Sequence, residues 1–245
     1  MDRPIAVNVE HATVRFNRAS QQVNNLKEYV IKMLKKELMF QEFFALQDVD
    51  LTVRAGESWG IVGTNGSGKS TLLKLICGIL RPYRGSVYTA GSVAPLIELG
   101  AGFDGELTAK ENVLLNGTLL GYPESFMRSQ FEKIIDFADL WDFLDMPIKN
   151  YSSGMAARLG FAVATMVQPD LLICDEVLSV GDYQFQEKCE GRMKEMLAHG
   201  TTLLYVSHSI QSVEKLCSHA LWLEKGRVKL CGEAERVCRA YMGQG

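Results

Sequence analysis

The chain has 245 residues, of which 47% are hydrophobic and 22% charged, with a formal net charge of −3. That length buries a full core, and the balance excludes both a disordered chain and the basic excess of a nucleic-acid-binding surface. The six cysteines (Cys77, Cys174, Cys189, Cys217, Cys231 and Cys238) form no C-x-x-C pair, which reads as reduced cytosolic thiols rather than a zinc site or a disulfide framework. The start, Met-Asp-Arg-Pro, lacks the apolar core of a signal peptide, and no apolar run approaches the roughly 20 residues that cross a bilayer.

Residues 5–16 read as β-structure, and 49–53 alternate apolar and polar in the same way, so the two are expected to pair antiparallel. Between them Leu26, Val30, Met33, Leu34 and Leu38 recur at helical spacing, with Glu28, Lys32, Lys35 and Lys36 on the opposite side. That is an amphipathic helix. Residues 58–62 read as a buried strand, followed by a glycine-rich turn and a helix over 70–77. Further helices are expected over 109–120, 125–143 and 155–167, and short buried strands over 171–174 and 202–206. Strands alternating with helices imply a parallel sheet, here interrupted by a mostly helical stretch over 106–167.

Gly63-Thr64-Asn65-Gly66-Ser67-Gly68-Lys69-Ser70 fits G-x-x-x-x-G-K-[ST] and lies between a strand and a helix, where the pattern has a mechanism. Its glycines let the backbone wrap a phosphate with several N–H groups pointing inward, and the following helix adds its positive end. Lys69 is expected to neutralise the β- and γ-phosphates and Ser70 to offer its hydroxyl to Mg²⁺, with Thr71 completing the nucleotide-binding set. Leu171-Leu172-Ile173-Cys174-Asp175-Glu176 is an apolar strand ending in two acids. This puts Asp175 at the carboxyl edge of the sheet beside the metal and gives Glu176 the reach to polarise water.

Between these two motifs stands Tyr151-Ser152-Ser153-Gly154-Met155, and here the chain resembles the ABC ATPase family. Ser153 and Gly154 match the Ser-Gly step of that family's signature. The resemblance implies a second phosphate reader, built from a hydroxyl, backbone N–H groups and a helix dipole, which contacts the γ-phosphate of ATP held by the opposite subunit. Two composite sites in a head-to-tail homodimer follow. Ser179-Val180-Gly181-Asp182 looks like the family's D-loop, with Asp182 counted in the nucleotide-binding set, and His208 looks like its switch histidine, a γ-phosphate contact. His11, His199 and His219 read as structural. Phe16 fits the adenine-stacking aromatic, with Tyr29 and Phe44 as rivals. Where the family has a metal-contacting glutamine this chain has Glu98, whose carboxylate could accept Mg²⁺.

The resemblance implies an α/β ABC ATPase cassette, with a RecA-like parallel-sheet core (58–100 and 168–245), an antiparallel β subdomain (5–60) and a helical signature subdomain (106–167). The antiparallel part carries the amphipathic insertion near 20–43. The whole of 1–245 is expected to be a single domain, without the C-terminal carbohydrate-binding domain of some relatives. The strings Glu98-Leu99-Gly100-Ala101-Gly102-Phe103, Leu107-Thr108 with Glu111-Asn112, and Asp175-Glu176-Val177-Leu178-Ser179-Val180-Gly181-Asp182 are similar to the polysaccharide-exporter branch, which moves O-antigen, capsule-like glycans, galactan and teichoic acid. That implies ATP and Mg²⁺ as cofactors, an integral-membrane permease pair as partner, a lipid-linked polysaccharide as substrate, no nucleic acid, and a peripheral place on the cytoplasmic face of the inner (plasma) membrane. Lys32, Lys35 and Lys36 then either face lipid phosphates or anionic substrate at the channel mouth, or form a solvated face of a helix packed on its own domain. Two other readings keep the same chemistry: a subunit exporting a drug or small lipid, and a soluble ABC ATPase acting on DNA or ribosomes.

Overall fold

The structure, a computed structural model, describes residues 3–19, 40–97, 100, 102–175, 182–207 and 209–243. Two long strands, β1 (Ile5–Ala19) and β2 (Phe40–Arg54), pair antiparallel, and β4 (Arg84–Thr89) adds to the other side of β1. The period-two pattern sets the register: Val7 faces Val53, Val9 faces Leu51 and Val14 faces Leu46, and all six are buried. β2 begins at Phe40, so residues 40–43 belong to the strand rather than to the expected insertion. The amphipathic helix read over 26–38 lies outside the described residues.

The second sheet has the order β5-β6-β7-β3-β8-β9, built from β3 (Ser58–Val62), β5 (Val93–Leu96), β6 (Leu171–Asp175), β7 (Thr202–Val206), β8 (His219–Glu224) and β9 (Arg227–Glu233). All of its strands run parallel except β9, which turns back on β8. Helix α1 (Lys69–Ile76) packs between the two sheets and buries Leu72, Leu73, Leu75 and Ile76 against Val7, Leu46, Ile61 and Leu204. Leu203 and Tyr205 of β7 point to the opposite face. There Phe185, Met193 and Met196 of α5 (Tyr183–Ala198), Val213 of α6 (Ile210–Leu216) and Val237 of α7 (Ala234–Met242) cover them. A strand buried on both faces reads as an unbroken apolar run, which is why β3, β6 and β7 are visible in the sequence.

A separate helical core joins α2 (Ala109–Leu119), α3 (Glu124–Ala138) and α4 (Ser153–Thr165) through Val113, Met127, Ile134, Ile135, Leu159 and Val163. Thr108 and Glu111 start α2 as a reciprocal capping box. The helix expected over 125–143 stops at Ala138, because Asp139 turns left-handed (φ 57) and Leu140 N–H bonds back to the Ile135 carbonyl at 3.3 Å. A 3₁₀ turn, Trp141–Phe143, follows. The fully buried Asn112 side chain closes the approach to α2, accepting from Asp104 N–H (2.7 Å) and donating to the carbonyls of Asp104 (2.9 Å), Leu107 (3.1 Å) and Thr108 (3.0 Å).

Candidate functional site

Val62 ends β3 and Lys69 begins α1, so residues 63–68 must reverse the chain within one tight loop. A Cβ at Gly63 (φ 153) would lie 2.3 Å from the Leu223 carbonyl oxygen and 2.6 Å from Ser67 Oγ; at Gly68 (φ 108) it would lie 2.7 Å from the Ala45 carbonyl oxygen. Only glycine lets the backbone pass there. The loop is pinned from outside as well. Ser67 N–H donates to Thr64 O at 3.1 Å, Gly226 N–H to Ser67 O at 2.9 Å, and Gln47 N–H to Gly226 O at 2.8 Å. The β8–β9 turn thus ties the loop to β2.

Three features of this loop fit an anion. Helix α1 has no side-chain cap and no acidic residue in its first turn, and its hydrogen-bond ladder starts only with Leu72 N–H to Gly68 O (2.9 Å), beyond the N–H groups of Ser70 and Thr71. The Ser67 hydroxyl is buried with no partner among the described residues. Lys69 is buried, and its Nζ donates to the carbonyls of Gly63 (2.8 Å) and Thr64 (3.1 Å), which holds one positive charge inside the loop. Thr64, Asn65 and Gly66 form the exposed rim, and Ser70 is exposed at the helix start.

Asp175, Val206 and Ile61 are level across three adjacent strands, so Asp175 stands two strand spacings, about 10 Å, from β3 on the same carboxyl edge. Asp175 is half-buried. Ahead of it Cys174 is fully buried, and burial pushes its thiol well above the usual range, so it remains a protonated hydrophobe. β5, β6 and β7 end at Leu96, Asp175 and Val206 on that edge; Glu98, Glu176 and His208, which come after those strands in the chain, lie outside the described residues. Parallel sheets bind ligands along this edge.

Ser152 and Ser153 at the tip of α4 are exposed. Ser152 caps the helix by accepting from Met155 N–H at 3.2 Å, which leaves Ser153 exposed on the first turn. A Cβ at Gly154 would meet nothing nearer than Ser152 Oγ at 3.8 Å, so nothing among the described residues requires glycine there. Asp182 caps α5 by accepting from Phe185 N–H at 2.9 Å, while its other oxygen takes Arg158 of α4. Residues 179–181 lie outside the described residues.

Phe16, expected at the end of the first strand, sits inside it, opposite Phe43, because β1 continues to Ala19. The two rings are 40% and 53% exposed, so Phe43 joins Phe16 as a candidate stacking surface that the sequence reading overlooked. Phe44 pairs with Arg15 instead, and Tyr29 lies outside the described residues. Arg158 was also overlooked. Its signal was one cation inside the small-residue run Ala156-Ala157-Arg158-Leu159-Gly160, four residues after Gly154.

These parts define an α/β protein whose strand-loop-helix unit offers a phosphate cradle at the carboxyl edge of a parallel sheet. The chain belongs to the ABC transporter family, whose profile matches residues 46–179. It is 42% identical to the O-antigen export system ATP-binding protein RfbB of Klebsiella pneumoniae over 96% of both chains. It is 38% identical to the teichoic acids export ATP-binding protein TagH of Listeria innocua, over 98% of this chain and 71% of that one. Among solved structures it is similar to an ATP binding subunit of an ABC transporter (TM-score 0.76, 24% identity, 98% of this chain and 95% of that one). It is also similar to a dimeric ATP-binding cassette in a post-hydrolysis state bound to ADP and Pi (TM-score 0.74, 21% identity, 93% and 98%). The fold is that of an ABC ATPase cassette: a parallel-sheet core, an antiparallel sheet and a helical part.

Proposed function

We propose that this chain is the ATP-binding and hydrolysing subunit of an exporter that moves a lipid-linked cell-surface polysaccharide across the cytoplasmic membrane. The observation that carries the nucleotide reading is the buried Ser67 hydroxyl, without a partner among the described residues, beside an uncapped helix start and the Lys69 ammonium. Likeness to O-antigen and teichoic acid exporters over nearly the whole chain supports the polysaccharide. No described helix is long and apolar enough to span a membrane, so on this reading the channel is supplied by a permease pair.

In this reading Gly63, Thr64, Asn65, Gly66, Ser67 and Gly68 wrap the phosphates with backbone N–H groups, and Lys69, Ser70 and Thr71 complete the grip. Ser70 and Asp175 hold Mg²⁺, which when bound neutralises phosphate charge; an oxygen-only donor set suits that ion, and Glu98 is a third candidate. Phe16 stacks on the base. Ser153 and Gly154 of a second copy close over the γ-phosphate, with Asp182 at the same interface. Glu176 orients and deprotonates the attacking water, and His208 contacts the transferred group. Closing and reopening of the pair then moves the permease.

The test has two arms. The purified chain should bind ATP and ADP, and Glu176→Gln should retain ATP without turning it over. Deleting the gene should leave a lipid-linked glycan on the inner leaflet of the membrane. Wild-type hydrolysis by Glu176→Gln would remove the assigned base, and normal export in the deletion strain would remove the substrate class.

A further inference from the structure

Arg158 sits where three helices meet. It lies four residues beyond Gly154 on α4, so the two share a helix face one turn apart. Its guanidinium donates to Asp182 Oδ2 at the start of α5 and lies 3.9 Å from Asp139 Oδ2 at the end of α3. The same group stands 5.1 Å from the centroid of the Phe185 ring. The planar fork reaches two carboxylates on different elements while its body covers an aromatic face, an arrangement lysine cannot reproduce.

Holding the fold together does not need this arrangement. Phe185 is already anchored edge-on against Phe137 (5.7 Å) and Phe161 (6.2 Å), and Asp182 already has a structural task in capping α5 through Oδ1. The carboxylates are 58% and 78% exposed, so these ion pairs contribute little to stability. What the pairs do is mechanical. They fasten the helix carrying Ser153 and Gly154 to Asp182, which follows β6 and Asp175 in the chain.

Resting on the nucleotide reading above, we propose that Arg158 is a positioning residue that couples the two composite sites. The Ser153–Gly154 tip of one chain reads the nucleotide held by its twin, and Arg158 passes the displacement of that tip to Asp182 and so toward the hydrolytic side of its own chain. Coupling of this kind needs a physical connection between two sites, and the Arg158–Asp182 contact joins two elements that the nucleotide reading assigns to those sites.

The experiment uses the full chain and the variants Arg158→Ala, Arg158→Lys, Asp182→Asn and the double variant Arg158→Ala/Asp182→Asn. Asparagine caps a helix as aspartate does, so Asp182→Asn removes the charge and spares the cap. The wild type should hydrolyse ATP with a sigmoidal dependence on concentration. Arg158→Ala and Asp182→Asn should each flatten that curve to a hyperbola and lower turnover on the order of tenfold, within the usual range of intersite coupling. The double variant should be no worse than either single one. Arg158→Lys should stay hyperbolic, and ADP affinity of the Arg158 variants should stay within about twofold of wild type, since the phosphate loop is untouched. Retained sigmoidicity in Asp182→Asn, a hyperbolic wild type, losses that multiply in the double variant, or ADP affinity falling in step with turnover in Arg158→Ala would each overturn the proposal. A wild-type chain that binds no ADP would overturn the nucleotide reading and this coupling together.

Discussion

The Nζ of Lys69 lies 2.8 Å from the carbonyl oxygen of Gly63, the residue that opens the loop Lys69 closes. A buried ammonium held by its own loop is already oriented and largely desolvated, so a phosphate arriving there meets a preorganised charge. Replacing Lys69 by alanine should weaken ATP and ADP binding by roughly 10- to 100-fold, as expected for hydrogen bonds to a charged group. Isothermal titration of both nucleotides measures it.

Gly63 and Gly154 should behave oppositely when changed to alanine. At Gly63 the new methyl carbon would stand 2.3 Å from the Leu223 carbonyl oxygen at a φ of 153°, and backbone must move. That variant should lose about 2 kcal/mol or more of stability in urea, the scale of strain and overpacking changes. At Gly154 the nearest atom is 3.8 Å away, and alanine is a better helix former by roughly 0.5–1 kcal/mol. Gly154→Ala should therefore melt no lower than wild type, yet on the proposed function lose ATP turnover, because there Gly154 closes over the γ-phosphate of the nucleotide held by a second copy. Full activity in a stable Gly154→Ala chain would remove the signature role.

Thr108→Ala should cost about 1 kcal/mol by removing the side-chain half of the capping box at α2. The Thr108 hydroxyl and backbone N–H both donate to Glu111, at 2.7 and 2.8 Å, and hold its carboxyl below the usual value of 4.5. A depressed carboxyl stabilises the fold above its unfolded pKa, and the benefit fades as pH falls through the folded one. The destabilisation by Thr108→Ala, measured by chemical denaturation, should accordingly shrink on acidification.

On the antiparallel sheet His11 Nδ1 stands 2.9 Å from Asp48 Oδ1, and His11 N–H donates to Asp50 Oδ1 at 2.7 Å. The hydrogen bond to Asp48, followed by the Asp50 charge, raises the imidazole above its ordinary 6.5. A raised folded pKa gives stabilisation that is complete below the unfolded value and is lost as pH climbs through the folded one. The proton resonances of His11 should titrate above 6.5, and Asp48→Asn should bring the midpoint down. Asparagine suits the left-handed backbone at position 48 (φ 54), so the variant tests the charge rather than the turn.

Elements with strong local grammar were legible. The strand over 58–62 and the strand over 202–206 match the structure residue for residue, because both are apolar on both faces. The phosphate loop was legible because its glycines, lysine and serine stand together. What escaped depends on distance along the chain. The edge strands β4 and β9 alternate weakly and take their place from partners, the short apolar run of β8 is placed only by pairing with β3 and β9, and Asp139 ends α3 by a backbone choice that aspartate does not announce. Phe16 reads as the last residue of its strand because the pairing with residues 40–44 that prolongs β1 leaves no mark near Phe16 itself. Arg158 gains meaning only once Asp182, 24 residues later, is folded against it.

The turn at Gly226 has a consequence for biosynthesis. Its N–H holds Ser67 O and its carbonyl holds Gln47 N–H, and a Cβ there would stand 2.6 Å from the Ala45 carbonyl oxygen. A nascent chain that has emerged only through α5 therefore carries the whole Gly-Lys motif without the clasp that shapes it. The loop can take its clasped shape only after the β8–β9 hairpin has been made and has folded back onto segments synthesised long before.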